Sequence, residues 1–416
     1  MSTQNEPRTE MEDQAFDGTC NFIDKLAMAA HHYGASSFRL ESYLSRVTAA
    51  LGLHGDFLVT PGVVDTVLWQ EEEKYQRIRI HREEAGFNLG KLEQVTELVE
   101  QVEGGDVSVE DGVARLDAID KSPALFGPLL TAVSFGLIGA GFAVLLSLAW
   151  HDVMIGTALA VVAFGVVFLL GRSPQTARMI HPMAAFVAAI LAYVIAATWV
   201  PGSNHVMTTL CAVIALIPNP GLILWVGEVS SGQLLSGAVR LVSAVVILIE
   251  LAFGAYLGTV IAGAVLTIPE GTAASSMAPY WSWVAVAVLG VGLALLFQVR
   301  PKDFVWVVAG CLLAWSGVVI GGELLGSGPG DMLAALALGI FANLYALKMR
   351  RSATVILLPG LMVLAPGFAS YLGLGTLQAT GVEAGFIAEF KTFVTVVWIV
   401  GGLFLANTVI PPKSTL

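Results

Sequence analysis

Two prolines, an asparagine and a glycine interrupt an apolar stretch of the chain, in the sequence IPNPG at residues 217–221. Pro218 and Pro220 each remove a backbone donor and clash with a preceding carbonyl, and Gly221 lowers the helix preference further. Asn219 offers a side-chain amide to the groups freed by the break. The pattern predicts a broken helix. Non-helical backbone at membrane depth persists only where protein or a water-filled cavity satisfies it.

A second segment repeats this chemistry nearer the C-terminus. LLPGLMVLAPG, at residues 357–367, holds the pairs Pro359–Gly360 and Pro366–Gly367. In secondary transporters, broken helices from two paired halves flank the substrate site. Together the two segments therefore predict a polar cavity in which helix ends and backbone carbonyls meet a solute. The alternative is an ordinary proline kink in each helix, which membrane helices tolerate.

Ionisable residues inside apolar segments are further candidates, because a charge in lipid is costly and usually faces a pathway or a partner. Glu250 stands in LVSAVVILIELAFGAYLG, where burial penalises the charged form and makes the carboxyl a candidate proton acceptor. A neutral, hydrogen-bonded structural carboxyl is the other interpretation. Glu389 and Lys391, in the last apolar segment, could pair with Glu250 or with a zwitterionic or anionic solute. Their alternative is snorkelling to the membrane interface.

The sequence contains no familiar pattern for catalysis or for a bound metal. Its seven histidines form no HExxH motif, and its three cysteines form no metal-binding spacing. A phosphate loop and a nucleophile elbow are also missing from the sequence. We therefore expect no catalytic residue, no metal and no cofactor, and the chain is interpreted as a non-enzyme.

Composition indicates which elements position these residues. Of the 416 residues, 56% are hydrophobic and 13% are charged, which is typical of an integral membrane protein. Residues 1–121 hold 11 basic and 23 acidic residues, a net charge of −12, whereas residues 122–416 have a net charge of +1. The sequence thus predicts an acidic domain followed by a membrane domain in the lipid bilayer. The acidic balance argues against nucleic acid as a partner, because phosphates require basic residues.

Ten apolar segments follow residue 123, and a helix needs about 20 apolar residues to span a bilayer. The segments run approximately over 124–150, 153–170, 179–200, 206–226, 236–266, 280–299, 304–322, 331–348, 352–372 and 385–410. An even number places both termini on the same side. Nine of the ten basic residues after residue 121 lie at segment ends on that side, so the positive-inside rule predicts cytoplasmic termini.

The ten segments also show signs of an internal repeat. IPNPG is followed about 40 residues later by GTVIAG, and LAPGF is followed at a similar distance by NTVIPP. Since five segments separate the matching elements, the second copy is inverted, with predicted halves at residues 122–268 and 269–416. Chance recurrence of common residues is the alternative. The patches GLIGAG and GVVIGG permit close helix packing, within one protomer or between the protomers of a homo-oligomer.

Residues 1–121 predict a small α+β domain. Apolar residues at helical spacing precede Gly34, and Gly34 with Ser36 and Ser37 ends this helix and caps a second one. Three alternating stretches, DFLVTPG, VVDTVLWQ and YQRIRIH, predict strands. Two acidic amphipathic helices follow, the second capped by Ser108. The polar N-terminus lacks the pattern of a signal peptide, so this domain is expected to be cytoplasmic.

The stretch PNPGLILWVGEVSSGQLLSGAVR resembles the threonine/serine exporters of bacteria, which join a cytoplasmic N-terminal domain to ten spans. The matching positions are Pro218, Glu228, Gly232, Ser236, Gly237 and Arg240. GASSFRLE, at residues 34–41, is similar to the family's Gly…Arg-x-Glu signature, and LLPGLMVLAPG is similar to its second membrane half. By residue type alone, Arg39 and Glu41 form either a solute contact or an exposed helix face. Asn219, Glu228 and Ser243 depart from the residues usual in the family, which leaves the substrate open.

The expected fold is therefore an α-helical polytopic membrane protein, with about ten transmembrane helices as two five-helix inverted repeats and an N-terminal cytoplasmic α+β domain. The resemblance implies export of small hydrophilic metabolites, threonine and serine first, across the bacterial inner membrane, driven by the proton gradient. A split two-protein branch of the family implies dicarboxylate export instead. A membrane-bound hydrolase and a non-transporting assembly or sensor protein are alternatives of other classes.

The expected substrate-binding residues combine the broken helices with the positions matched to the family. They are Pro218, Asn219, Pro220, Gly221, Glu228, Arg240, Pro359, Gly360, Pro366, Gly367 and Lys391. Glu228, Glu250 and Glu389 are the expected proton-coupling residues. Of these, Glu228 and Arg240 are carried over from the family, whereas Glu250 is inferred from its position alone.

Overall fold

A computed structural model of the protein describes residues 10–70, 75–82, 86–268, 277–326, 328–349, 351–364, 369, 371–373 and 382–411. The protein is mostly helical, and one small antiparallel sheet lies near its N-terminus. Within the described residues, seven helices are long and apolar enough to cross a membrane, or eight if one bent pair counts as a single span. The chain is therefore a polytopic membrane protein. The count of ten spans stays a prediction.

The first seven elements lie within residues 10–121. They are α1 (Glu10–His32), α2 (Ser37–Ala50), β1 (His54–Thr60), β2 (Val63–Gln70), β3 (Tyr75–Arg82), α3 (Leu89–Glu103) and α4 (Val109–Lys121). The predicted strands and helices of this region are confirmed. Ser108 accepts a hydrogen bond from the Asp111 amide, as its capping role requires. Ser36 begins α2 but makes no side-chain capping bond, so that part of the prediction is wrong.

The sheet has the order β1-β2-β3, and one face packs on helices. Phe57, Val64 and Leu68 are buried on that face, where residues two apart along a strand point the same way. Asp24 of α1 reaches the same face, accepting a hydrogen bond from Thr66 at 2.7 Å. The alternation of apolar residues in these strands therefore reflects contact with the helices.

The helices that follow are numbered in chain order. The first helix set is α5 (Pro128–Leu145), α6 (Trp150–Leu170), α7 (Pro174–Ala177), α8 (Ile180–Thr198), α9 (His205–Val213), α10 (Asn219–Ser230) and α11 (Leu234–Gly263). The second helix set is α12 (Tyr280–Leu296), α13 (Phe304–Leu325), α14 (Pro329–Met349), α15 (Thr354–Leu364) and α16 (Val382–Val409). Each of the ten apolar segments thus contains at least one helix, although α12 and α15 are shorter than a full span.

The two helix sets share one packing scheme. In the first set, α5 packs on α6, α6 packs on α9, and α8 packs on α11. In the second set, α12 packs on α13, α13 packs on α15, and α14 packs on α16. The helices α5 and α12, which begin the two sets, also pack against each other. Helices at matching places in the two sets therefore have matching neighbours.

The backbone that follows α5 and the backbone that follows α12 have the same conformation. Ser147 and Gln298 follow these helices with φ of 54° and 56°, a backbone region that non-glycine residues rarely adopt. The Ser147 amide donates to the Val144 carbonyl at 2.9 Å, and the Gln298 amide donates to the Leu295 carbonyl at 3.2 Å. The two sequences around them, LSLAWHD and FQVRPKD, share little beyond a final aspartate. The shared backbone geometry is thus visible only in the structure.

Glycines allow the matching helices to approach closely. A Cβ added at Gly141 of α5 would lie 3.0 Å from the Leu289 Cβ of α12, and one added at Gly292 of α12 would lie 3.0 Å from the Ile138 side chain of α5. The two helices thus present the same arrangement to each other. Close approach through small residues is the usual way for helices to pack in membranes.

Candidate functional site

The helix breaks at IPNPG, as the sequence predicts. The axes of α9 and α10 differ by 55°, and a short 3₁₀ turn at Ile214–Leu216 precedes the bend. Pro218 takes the position before α10 with ψ of 51°, and the Asn219 amide donates to the Ile217 carbonyl at 2.7 Å. Asn219 and Pro220 are buried. Packed protein therefore surrounds the non-helical backbone at this point.

After the break, α10 and α11 form a tight hairpin. Gly232, in the turn between them, has φ of +90°, a conformation that costs other residues energy. Gly237 lies where an added Cβ would be 2.9 Å from the Trp225 carbonyl oxygen, so only glycine lets the helices approach this closely. The two family-matched glycines of this stretch therefore shape the hairpin.

Across this hairpin, Glu228 of α10 and Arg240 of α11 form a bidentate salt bridge. The Arg240 Nε and Nη2 atoms donate to the two Glu228 carboxylate oxygens at 3.0 and 2.8 Å. Only 11% of the Arg240 side chain and 3% of the Glu228 side chain are exposed. A buried pair of this kind is well compensated while intact, but either charge alone is costly to bury. Any acidic group that binds Arg240 in this way must first displace Glu228.

The turn of the α10–α11 hairpin and the start of α11 meet α2 and the loop before it. The Gln233 side-chain amide donates to the Glu41 carboxylate, whose other oxygen accepts the Val59 amide at 2.8 Å. The Ser236 hydroxyl donates to the Ser37 hydroxyl oxygen at 2.9 Å, and both serines are buried. Glu41 is thus neither a free solute contact nor a simple exposed face: it holds the turn of the hairpin.

The electrostatics around Glu41 are mixed. Burial raises the pKa of the Glu41 carboxyl, and the nearby charges of Asp56 and Glu228 act in the same direction. The hydrogen bonds from Val59 and Gln233 oppose that shift. Burial likewise lowers the pKa of Arg39, two residues before Glu41. The charged forms of both side chains are therefore disfavoured by their surroundings.

The second proline segment lies against the first. Helix α10 packs on both α15 and α16, and the Trp225 ring stacks on the Phe393 ring with 6.0 Å between centroids. The break expected at Pro359–Gly360 is wrong, because α15 continues through Pro359. Packing explains the continuity: an added Cβ at Gly360 would lie 2.5 Å from the Leu338 side chain, so the helix is held tightly. Pro366 and Gly367 lie outside the described residues.

The carboxyl candidates have different neighbours from those expected, and Glu250 is not buried as its apolar segment suggests, because 34% of its side chain is exposed. Glu250 of α11 lies 3.1 Å from the His181 Nδ1 atom of α8, so it is not paired with Lys391 or Glu389. Lys391 is exposed on α16, and an added Cβ at Gly373 would lie 2.5 Å from a Glu389 carboxylate oxygen. His181 was not among the expected site residues, although an ionisable residue at the start of an apolar segment was a usable signal.

Other residues at the site could not be selected from the sequence. Ser37 and Gln233 carry common polar side chains, and only the fold brings them together with Ser236 and Glu41. In the part of the chain that the structure describes, no group of three or more His, Cys, Asp or Glu side chains could hold a metal ion. The arrangement offers instead a paired acid and base at a helix break.

Comparison with known proteins gives two family matches that together cover most of the chain. Residues 21–262 match the family model described as "Putative threonine/serine exporter", and residues 282–409 match the one described as "Threonine/Serine exporter, ThrE". No solved structure matches the chain.

Among fungal relatives, the "Pheromone-regulated membrane protein 10" of Eremothecium gossypii is 27% identical over 370 residues, covering 84% of this chain and 48% of that protein. The protein of the same name from Saccharomyces cerevisiae is 24% identical, with coverage of 84% and 46%. An uncharacterised protein of Schizosaccharomyces pombe is 24% identical, with coverage of 90% and 50%. The chain thus spans about half the length of these relatives.

Proposed function

The chain belongs to the threonine/serine exporter family, and we propose that it is a secondary exporter of small hydrophilic metabolites, with threonine and serine as first substrates and the proton gradient as the driving force. The observation that carries this proposal is the meeting of three elements. Helix α10, which begins at the break, packs on α15 and α16, and the buried Glu228–Arg240 pair lies on the same hairpin. Helix breaks facing a second helix set are typical of solute sites in secondary transporters.

The Glu228–Arg240 pair suggests how proton and solute would be coupled. While Glu228 is ionised, it occupies the donor fork of Arg240. The zwitterion of an amino acid can enter this pair only while Glu228 is ionised: the solute carboxylate then binds Arg240, since arginine binds carboxylates in a bidentate manner, and the solute ammonium group binds Glu228. Protonation of Glu228 would remove the charge that holds the ammonium group and release the solute. Proton and solute would thus compete for Glu228, as an exchange of inward protons for outward solute requires.

The helix break would complete the solute site. The N-terminus of α10, at Asn219, forms the positive end of a helix, which favours the solute carboxylate. Backbone carbonyls that Pro218 and Pro220 leave without an amide partner would accept bonds from the solute ammonium group, with Gly221 leaving room for it. Pro218, Asn219, Pro220 and Gly221 are thus the proposed substrate-binding residues at the break.

The second helix set would supply the opposite wall of the site. Pro359 and Gly360 of α15, with Pro366 and Gly367 beyond it, are proposed to line that wall because α15 packs on α10. Lys391 of α16 is proposed as a contact for a solute carboxylate.

Two further carboxyls are proposed to carry protons. Glu250, beside His181, and Glu389 of α16 would exchange protons along the path. Both lie in long apolar helices, where an ionisable group is usually functional.

We further propose that the two helix sets are inverted repeats of five spans each, over residues 122–268 and 269–416, with residues 1–121 as a cytoplasmic domain. The shared packing scheme and the matched geometry after α5 and α12 support this arrangement. The distribution of basic residues supports cytoplasmic termini in a cytoplasmic membrane. A homo-oligomer is compatible with the exposed apolar helix faces.

The direct test is transport in proteoliposomes of the purified chain. With a pH gradient imposed, labelled threonine is expected to exchange against unlabelled threonine, and collapse of the gradient is expected to stop net movement. Serine and succinate are tested alongside, so that uptake of succinate alone would assign the dicarboxylate alternative. Absence of gradient-dependent flux for all three solutes would refute the transport function.

The role of Glu250 is tested in the same assay. Glu250→Gln keeps the shape of the side chain but cannot release a proton, so we expect net transport to lose its dependence on the gradient while the protein still folds. Transport by Glu250→Gln that keeps the normal dependence on pH would exclude Glu250 as the proton carrier.

A further inference from the structure

Helix α3 is fixed to the second helix set by its backbone. The Leu89 amide, at the first residue of α3, donates to the Phe297 carbonyl at 2.9 Å. An added Cβ at Gly90 would lie 2.5 Å from the Gln298 carbonyl oxygen, so the two backbones are in direct contact. The Phe87 and Phe297 rings meet edge to face, with 5.8 Å between centroids.

A buried cluster of charges strengthens this attachment. Arg300 donates to both Glu97 oxygens at 2.7 and 3.1 Å and lies 3.3 Å from Glu93. Arg351 lies 3.4 Å from the other Glu93 oxygen and also pairs with Asp303. Glu93 and Asp303 are buried to within 1% of full burial. Partial opening would break several charged bonds while Glu93 is still shielded from water, which is costly, so this end of the contact resists opening.

The charge cluster also gives a structural role to two basic residues whose positions predict the orientation of the chain. Arg300 and Arg351 belong to the cytoplasmic charges counted by the positive-inside rule, yet both are bonded to protein carboxylates. The acidic charge of residues 1–121 therefore has a structural partner in the loops of the second helix set.

The attachment of the same region to the first helix set is of a different kind. It includes the bond between the Ser37 and Ser236 hydroxyls and the bond from the Gln233 amide to Glu41. Neither bond joins two opposite charges. Each of these two bonds contributes little net free energy against water, whereas the α3 contact combines a backbone bond, ring packing and several charged pairs.

From this asymmetry we propose that α1–α4 and β1–β3, within residues 10–121, form a gate carried by the second helix set. The α10–α11 hairpin docks on this gate through Ser37 and Glu41 and undocks in each transport cycle. This role rests on the proposed function of the chain as a transporter. Because Glu228 and Arg240 lie on the hairpin, its docking sets their position. Ser37, Glu41, Gln233 and Ser236 are accordingly positioning residues that act on the solute site through the hairpin.

A disulfide can lock the docked state. The Ser37 and Ser236 hydroxyl oxygens are 2.9 Å apart on short side chains, so cysteines at these positions would bring their sulfur atoms near enough to close an S–S bond of about 2.05 Å with a small adjustment. In Ser37→Cys with Ser236→Cys, oxidation is expected to reduce threonine flux at least 10-fold, and a reductant is expected to restore it. The single variants Ser37→Cys and Ser236→Cys, treated with the same oxidant, control for loss of side chains and for oxidation elsewhere.

A matched cross-link at the fixed end separates gating from general stiffening. Phe87→Cys with Phe297→Cys, bridged by a short bis-methanethiosulfonate reagent, joins the segment before α3 to the end of α12, where no opening is expected, and leaves Glu97 and Arg300 in place. Flux normalised to the same variant before bridging should therefore be unchanged. Equal inhibition by both cross-links, or full flux with the Ser37–Ser236 positions locked, would overturn the gate.

A second measurement does not depend on transport. Ser236 is 2% exposed, so a maleimide reaches the thiol of Ser236→Cys only when the hairpin undocks. The buried native Cys20, Cys211 and Cys311 serve as internal references in the same molecule. We expect the introduced thiol to react at least 10-fold faster than all three.

The two measurements distinguish failure of the gate from failure of the transport function. Protection of the introduced thiol equal to that of Cys20 would refute the gate whatever the transport result. Fast labelling without flux of any tested solute would instead refute the proposed transport and leave a moving hairpin established.

Discussion

The Arg240 guanidinium donates hydrogen bonds to both carboxylate oxygens of Glu228 across the α10–α11 turn. The two residues are twelve positions apart in sequence, and both side chains are almost fully buried. Glu228→Gln keeps the size of the side chain but leaves the Arg240 charge without its counter-ion. Since breaking a buried pair from one side typically costs about 3–5 kcal/mol, we expect a clear loss of stability and of threonine flux. Thermal unfolding in detergent and flux in proteoliposomes measure the two effects.

A second arginine–glutamate pair provides the control for that variant. The Arg46 Nη1 atom donates to both Glu103 oxygens at 2.7 and 2.9 Å, and 38% of the Arg46 side chain and 15% of the Glu103 side chain are exposed, so this pair is open to solvent at its arginine end. Exposed pairs typically contribute about 0–1 kcal/mol, so Glu103→Gln should change stability little and leave flux intact. Similar losses in Glu103→Gln and Glu228→Gln would show that burial of the Glu228–Arg240 pair is not decisive.

Two glycines at matching places should respond alike to an added methyl group. A Cβ at Gly254 of α11 would lie 2.1 Å from the Pro182 carbonyl oxygen of α8, and a Cβ at Gly402 of α16 would lie 2.3 Å from the Met332 carbonyl oxygen of α14. A backbone oxygen cannot rotate away, so Gly254→Ala and Gly402→Ala should each lower the folding stability by about 1–3 kcal/mol. Midpoints of thermal aggregation in detergent report the change.

Gly401 is the matched control for these substitutions, because an added Cβ there would meet no atom within 4 Å. Gly401→Ala should be neutral or slightly stabilising, since alanine favours helix over glycine. If only one of Gly254→Ala and Gly402→Ala destabilised the protein, the proposed equivalence of the two helix pairs would lose its support.

An asparagine pair should contribute to the packing of α14 on α16. The buried Asn343 amide donates to the Asn407 side-chain oxygen at 3.0 Å and to the Ile410 carbonyl at 2.8 Å. Asn343→Ala removes both bonds and leaves two acceptors without that donor, so we expect a loss of about 1–2 kcal/mol, as for interhelical hydrogen bonds in membranes. Urea or thermal denaturation in mild detergent measures it, and Asn343→Asp, which cannot donate as an amide does, should not rescue stability.

The sequence was informative where a residue type dictates local backbone. Pro218 and Pro220 lack amide donors, so the break before α10 follows from their chemistry, and Ser108 caps α4 for a similar local reason. Pro359 shows the limit of that logic, because packing of Gly360 on Leu338 keeps α15 helical through the proline. Tertiary contacts decide such cases, and the sequence does not state them.

Long-range partners were beyond sequence reasoning for a different physical cause. Glu250 was identified as an unusual charge, but its neighbour His181 lies 69 residues away, and Gln233 meets Glu41 across 192 residues. Pairing of polar groups over such distances depends on how whole helices pack. In the same way, the matching of Ser147 with Gln298 appears in their φ values, since their side chains differ.

Docking of the hairpin should strengthen as pH falls, because of Glu41. Burial raises the pKa of this carboxyl in the docked state, Asp56 of β1 and Glu228 of α10 add repulsion, and the Val59 and Gln233 bonds oppose the shift in part. When the hairpin leaves, Glu41 loses part of its burial and the repulsion from Glu228, and it also loses the Gln233 bond, which acts the other way. Because burial is the largest cause of the shift, the pKa of Glu41 moves back toward the ordinary value of about 4.3. A group with a raised pKa contributes its full stabilisation below the ordinary value and loses it as pH rises through the raised value.

The rate at which a maleimide reacts with Ser236→Cys measures this effect once the pH dependence of the thiol itself has been removed. The rate is compared at each pH with that of a double variant, Ser236→Cys combined with Glu41→Gln, whose neutral amide does not titrate. We expect the rate of the single variant, divided by that of the double variant, to rise with pH from the ordinary glutamate value upward, because the ionised carboxylate disfavours docking. Arg240 neutralises Glu228 in both proteins, so the charge of that pair stays matched. A ratio that is flat, or that falls as pH rises, would show that Glu41 does not govern docking.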